Sequence, residues 1–217
     1  MRWLTQDTIA FLRDLSQNNS REWFKANEER YKAHYKWPAQ ELSEQLAAEL
    51  GRVTGTQLSA KVFRLHRDVR FSKDKTPYNT HLRIAVSTPG SAPDHPMWMA
   101  GLELDRLVVG VGIFAFSKQV LERYREWVDD SEGGRLAALL EAQAKRGARI
   151  GEPELKRVPP PYPADHPHGD LLRHKGLTAW FDHDTADLAL GERGATNIAA
   201  SLLDLKPIHD WLARLAG

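Results

Sequence analysis

The sequence predicts an α+β protein in which a central antiparallel sheet of four to five strands is packed by N-terminal and C-terminal helices. Apolar residues recur at spacings of three and four before about residue 50 and after about residue 117, as on one face of a helix. Between about residues 61 and 116 they alternate instead, which is typical of strands. We therefore expect a single domain over residues 1–217, with N-terminal helices about 5–50, the sheet about 61–116 and a C-terminal helical part about 117–217.

The composition of the 217 residues, 41% hydrophobic and 27% charged, is that of an ordinary soluble globular protein. The absence of cysteine excludes disulfides and cysteine-ligated metal. No apolar run approaches the ~18 residues of a membrane span, and the N-terminus lacks the apolar core of a signal peptide. The sequence also lacks a phosphate-binding loop and a dinucleotide fingerprint. We expect a cytoplasmic protein with no membrane association and no cofactor.

The N-terminal region contains the signals of successive helices. Thr5 can cap a helix over about 6–17. Asn19 and Glu22 have the spacing of a capping box, so a second helix should begin near Ser20. Pro38 should kink this helix or open a new one at its first turn.

The central region changes to a period of two over residues 61–70. One side of this predicted strand is apolar and carries Phe63, Leu65, Val69 and Phe71. Arg67 interrupts this apolar side. The other side carries Arg64, His66, Asp68 and Arg70. Residues 81–87 alternate again, with His81 and Arg83 on the polar side. If the two strands pair with both apolar sides on the core, their polar sides form one surface.

The second half of the sheet should be a hairpin over about 97–116. Gly110 and Gly112 lie inside its last strand, which suggests a bulge or the close approach of another backbone or a ligand. Ser117 can cap the next helix, and a short helix over about 133–145 should follow. Residues 176–181 are a candidate short strand, and the chain should end in helices over about 185–215.

Positive charge is concentrated in one stretch, from Lys61 to Arg83, which we call the basic hairpin. It contains seven basic and two acidic residues, a net charge of +5, whereas the whole chain has a net charge of only +1. Arginine and lysine side chains bind phosphate and carboxylate groups. The sequence therefore predicts an anionic ligand held by Arg64, Arg70, Lys73, Lys75, Tyr78 and Arg83.

Proton transfer at this site would depend on two histidines and one acid. His66, Asp68 and His81 are the candidates, because a carboxylate beside a histidine orients its ring and shifts its pKa. A separate cluster near His166 and His174 fits no single metal geometry, so we expect a polar surface loop there and no metal.

Three segments together resemble a known family: REWFKANEERY, VFRLHRDVRFSKDKTPYNTHLR and DHPHGDLLRHKGL. They are similar to a bacterial and fungal family catalogued as domain of unknown function 2461, and the similarity covers nearly the whole chain in order. The resemblance implies one soluble intracellular domain. It implies no activity, cofactor or catalytic residue, since none is assigned in the family.

Three functions remain open for the basic hairpin. It can bind a small phosphate- or carboxylate-bearing ligand, with or without acid–base chemistry. It can be a binding module for nucleic acid or an acidic protein surface, although Phe71, an aromatic that could stack on bases, is expected in the core. Alternatively, its arginines brace the N-terminal helices through Glu22, Asn27 or Glu28, and Arg67 is the basic residue most expected to be structural.

Overall fold

The computed structural model describes residues 2–217 and has an α+β fold. Its antiparallel sheet contains six strands in the order β1-β2-β3-β4-β6-β5, more than the four to five predicted. The strands are β1 Ser59–Val62, β2 Leu82–Ser87, β3 Met97–Leu102, β4 Leu107–Ile113, β5 Arg149–Ile150 and β6 Leu177–His183. The additional strands come from the part of the chain after residue 117. Of these, β6 confirms the predicted short strand, whereas β5 is too short to show a period.

The helices follow the predicted pattern, except that the second predicted helix is interrupted at Asn27. They are α1 Gln6–Gln17, α2 Arg21–Ala26, α3 Glu28–Tyr31, α4 Trp37–Thr54, α5 Lys118–Asp129, α6 Ser131–Lys145, α7 Gly169–Leu172, α8 Gly194–Leu203 and α9 Lys206–Ala216. A π-helical turn, Lys32–Lys36, joins α3 to α4, and Asp187–Ala189 is a 3-10 turn. Within residues 2–217, no helix is both long and apolar enough to cross a lipid bilayer.

Local side-chain caps explain where the first helices begin. The Thr5 hydroxyl accepts a hydrogen bond from the Asp7 amide at 3.3 Å, as predicted. The Ser20 hydroxyl accepts one from the Trp23 amide at 3.2 Å, so Ser20 rather than Asn19 is the cap of α2. Pro38 lies in the first turn of α4, directly after the π-helical turn, and the His34 carbonyl four positions before it accepts a hydrogen bond from the Thr8 hydroxyl at 2.6 Å.

Contacts between Cα atoms divide the chain into two compact units whose segments alternate along the sequence. Unit 1 contains the chain through Pro89, together with Met99–Val109 and His183–Ser201. Helix α4 packs against β1 and β2 in this unit. The ring of Phe11 is fully buried and lies 5.9–6.2 Å, centroid to centroid, from the rings of Trp23, Tyr31 and Tyr35.

Unit 2 contains Gly90–Trp98, Gly110–Asp182 and Leu202–Gly217. Helices α5, α6 and α9 pack against one another there. The buried Trp211 of α9 donates a hydrogen bond from Nε1 to Glu132 of α6 at 2.8 Å. That the chain forms a single domain stays a prediction.

The glycines of β4 confirm the expected close approach. A Cβ added to Gly112 would lie 2.2 Å from the carbonyl oxygen of Leu177, and one added to Gly110 would lie 2.3 Å from the Trp180 ring. Both positions therefore exclude a side chain because β6 passes directly beside them.

Candidate functional site

The basic hairpin is an extension of the β1–β2 pair. The ladder runs from Ser59 opposite Ser87 to Val62 opposite Ile84. Beyond this ladder, the two arms of the hairpin (residues 61–67 and 77–83) are joined by an isolated bridge between His66 and Tyr78. Separate backbone hydrogen bonds of 2.7–2.9 Å also connect them. Residues 68–76 form the tip. The predicted strand is therefore wrong beyond Val62, because the arms exchange too few ladder hydrogen bonds to continue it.

The observed register changes which side chains share a surface. The pairing register of β1 and β2 extends one residue beyond the last ladder pair, from Val62 to Phe63. The Phe63 amide donates a hydrogen bond to the Arg83 carbonyl at 2.9 Å. Cross-strand partners project to the same side of an antiparallel pair. Arg83 therefore lies on the side of Phe63, which the sequence pattern had assigned to the core, rather than beside Arg64.

One residue of the α1–α2 corner anchors the hairpin. The Asn19 side chain donates to the Tyr78 carbonyl at 2.9 Å and accepts from the Tyr78 amide at 3.1 Å. The Tyr78 ring is 5% exposed and stacks on Phe24 at 4.2 Å, while the His66 ring packs edge-on against it at 4.9 Å. Tyr78 was predicted to contact the ligand, but it is buried and attaches the hairpin to the helices.

The two acids of the hairpin pair with two of its arginines. Asp68 accepts a fork of hydrogen bonds from Arg70, 2.9 Å from Nε and 2.6 Å from Nη2. Asp74 lies 2.5 Å from Nη1 of Arg67, which also contacts the hydroxyl of Thr76 and donates to its carbonyl at 3.1 Å. Arg67 thus closes the tip, in line with the structural role expected for it, although its partners are exposed rather than in the core.

These pairings shift the pKa values of both carboxyl groups. The backbone amide of Thr76 and the Arg67 guanidinium lower the pKa of Asp74 to about 2. Hydrogen bonds from Arg70 lower the pKa of Asp68. Both acids are therefore ionised at neutral pH and cancel two of the seven positive charges.

Arg83 pairs outside the hairpin. Its Nη2 donates to Glu103 at 2.7 Å, and its side chain passes so close to Gly101 that a Cβ there would lie 2.1 Å from Nη1. Glu103 also accepts from Arg106 at 2.6 Å. Neighbouring His81 is half-buried, and burial followed by the charge of Arg83 lowers its pKa. Arg83 is therefore held by a carboxylate, unlike the free ligand contact that was predicted.

The candidate proton-transfer residues are not assembled. Among residues 2–217, no hydrogen bond joins Asp68 to His66 or His81, because the carboxylate is occupied by Arg70. His66 instead packs its ring against Phe24 and Tyr78. The geometry offers no carboxylate–histidine pair on this hairpin.

Four basic residues of the hairpin keep their charge without an acidic partner. Within the described chain, Lys61, Arg64 and Lys73 are exposed and form no salt bridge. The exposed Lys75 donates to backbone carbonyls of the tip, the nearer being that of Val69 at 3.0 Å. These four side chains are the free positive charge of the hairpin.

The acids of the N-terminal helices do not brace the arginines. Glu28 lies 3.1 Å from Lys32, and Asn27 accepts from Arg30 at 3.0 Å. Within residues 2–217, Glu22 forms no salt bridge with the hairpin. The internal ion pairs of the hairpin come instead from its own acids and from Glu103.

Two aromatic rings of the hairpin are exposed, contrary to the predicted core side. Phe71 at the tip is 96% exposed, with the Arg70 guanidinium 5.9 Å from its ring centroid. Phe63 is 46% exposed, with the Lys61 ammonium 5.3 Å away. By contrast, the predicted burial of Leu65 is confirmed at 1% exposure. The polar run that follows Phe71 in sequence was the available signal for its exposure.

The histidine cluster near His166 and His174 is not arranged to hold a metal ion. Across residues 2–217, no group of three or more histidine, aspartate or glutamate side chains is placed to hold a metal ion. His174 is buried rather than on the surface, and its burial lowers its pKa.

The chain matches a known protein family over residues that include the basic hairpin and segments of both units. The family model described as conserved hypothetical protein (DUF2461) matches residues 7–211, which confirms the resemblance seen in the three sequence segments. No curated protein matches the chain. The chain therefore belongs to the DUF2461 family of conserved hypothetical proteins.

Proposed function

We propose that the protein binds single-stranded nucleic acid through the basic hairpin. The observation that carries this proposal is the 96% exposure of Phe71 among basic side chains. Proteins that bind single strands combine a positively charged surface for the phosphates with exposed aromatic rings on which bases stack. The hairpin offers both, since the exposed Phe63 and Phe71 are interspersed along the chain with the unpaired Lys61, Arg64 and Lys73.

The geometry favours an extended polyanion over a small ligand at this place. A small anion is best held by convergent donors in a concave pocket. Here Arg67, Arg70 and Arg83 are engaged by Asp74, Asp68 and Glu103, and the free cations lie exposed on the first arm (residues 61–67) and on the tip (residues 68–76). Spaced cations suit repeating phosphates, each of which needs only one contact.

The test is a fluorescence-anisotropy titration with a labelled oligo-dT of about 15 nucleotides, the upper part of the range for one binding fold. Phe71→Ala should weaken binding by about 5- to 150-fold, because base stacking contributes roughly 1–3 kcal/mol. Phe71→Trp should retain binding. Phe114→Ala is the matched control, since it removes a 60% exposed phenylalanine outside the hairpin and should change nothing.

Two results would count against the proposal. If Phe71→Ala binds as tightly as the wild type, the ring does not stack on bases. If polyphosphate or duplex DNA of equal charge binds as well as the single strand, the hairpin recognises charge alone, and an acidic protein surface becomes the better partner.

A further inference from the structure

Unit 2 contains a cavity of about 520 Å³ that is open to solvent and that none of the hairpin residues line. Its walls come from the segment 156–173, which includes the Pro-rich passage and the short helix α7. Pockets that hold small ligands have volumes of about 300–1,000 Å³. The cavity therefore has room for a small organic molecule.

The lining is strongly basic. Lys156, Arg157 and Arg173 contribute three positive charges, and Asp170 contributes one negative charge. Within residues 2–217, Lys156 and Arg157 form no salt bridge. Asp170 pairs with Arg173 at 2.6 Å, but its side chain is 91% exposed, so water weakens its hold on the 28% exposed arginine. The cavity keeps a net charge of +2, which matches a dianion.

A histidine in the wall is fixed by its neighbours. Nδ1 of His166 accepts from the His168 amide at 3.0 Å, so the ring proton lies on Nε2, which faces Asp129 at 3.1 Å. The His166 side chain is only 7% exposed. Because both ring nitrogens are engaged, His166 shapes the wall and is not available as a general base.

The structure assigns this cavity as a binding site for a phosphate monoester that carries a small organic group. Arginine and lysine donate charge-assisted hydrogen bonds to a phosphate, which carries a charge of about −1.5 to −2 at neutral pH. The organic group would contact the apolar part of the lining, Val158, Ala164 and Pro167. The site is independent of the nucleic-acid proposal, because it uses different residues.

Calorimetric titration of the full chain with a sugar monophosphate tests the assignment. The wild type should bind it, and the unphosphorylated sugar should give no binding heat. Lys156→Ala/Arg157→Ala should weaken binding tenfold or more, since each variant position loses a charge-assisted contact. Both side chains are exposed, so the double variant should stay folded.

Two matched variants distinguish binding in this cavity from binding to positive charge elsewhere on the protein. Lys175→Ala removes an exposed lysine that does not line the cavity, and Phe71→Ala changes only the hairpin; both should bind the sugar phosphate like the wild type. The assignment is overturned if the wild type does not bind, if the double variant binds equally well, or if a dicarboxylate binds more tightly than the sugar phosphate.

Discussion

At the tip of the basic hairpin, Arg67 and Asp74 determine the path of the chain. Asp74 accepts hydrogen bonds from the Thr76 amide at 2.9 Å and from Arg67 at 2.5 Å. Local bonds of this kind order a loop that has little apolar burial of its own. These bonds join the two ends of the tip segment that carries Phe71 and Lys73.

Asp74→Asn should reduce stability at about pH 6 and progressively less below about pH 4. The pKa of the Asp74 carboxyl is lowered from its usual 3.8 to about 2 in the folded protein, so its stabilising contribution is complete above about pH 4 and disappears as the pH falls towards 2. Urea unfolding of both proteins at several pH values measures this difference.

Asp105→Asn is the control for that series. Asp105 is an exposed aspartate of the β3–β4 turn without a salt bridge or hydrogen bond inside residues 2–217, so its loss should leave stability unchanged. A stability difference between wild type and Asp74→Asn that stays constant from pH 6 to 2 would show that the carboxylate is not stabilised by Arg67 and Thr76.

For helices, strands and the hairpin, sequence patterns predict the features that depend on neighbouring residues. They fail where contacts with residues distant in sequence determine the structure. Thr5 and Ser117 cap their helices because the amides they accept from lie two or three positions away. The burial of Tyr78 depends instead on distant residues: Asn19, 59 positions before it, binds its backbone, and the Phe24 ring stacks on its side chain. Alternation suggested a longer strand, but hydrogen bonding to the second arm ended it at Val62.

Asn19→Ala should detach the hairpin from the α1–α2 corner. It removes both hydrogen bonds to the Tyr78 backbone, which leaves a part-buried amide and carbonyl without partners and should cost about 1–3 kcal/mol. Chemical denaturation measures the cost, and hydrogen exchange at the Tyr78 amide should become faster. Gln17→Ala, an exposed change at the end of α1, should have no effect. Unchanged exchange in Asn19→Ala would mean that Phe24 stacking alone holds the hairpin.

For the molecule as a whole, charge distribution matters more than net charge. A total of +1 gives no general attraction for polyanions, yet the hairpin alone carries +5. Its acids neutralise Arg67 and Arg70, and Glu103 neutralises Arg83, so four free cations remain: Lys61, Arg64, Lys73 and Lys75. Binding should therefore depend on this one segment and be sensitive to salt.

The most direct test of nucleic-acid binding is the dependence of oligo-dT affinity on salt concentration. Four phosphate contacts predict a slope of log K against log salt of about −3, because each contact to a single strand contributes about −0.7. Lys73→Ala should reduce the slope to about −2, and Lys175→Ala should leave it unchanged. A slope near zero, or one that Lys73→Ala does not alter, would contradict the proposal that the basic hairpin binds the phosphate backbone.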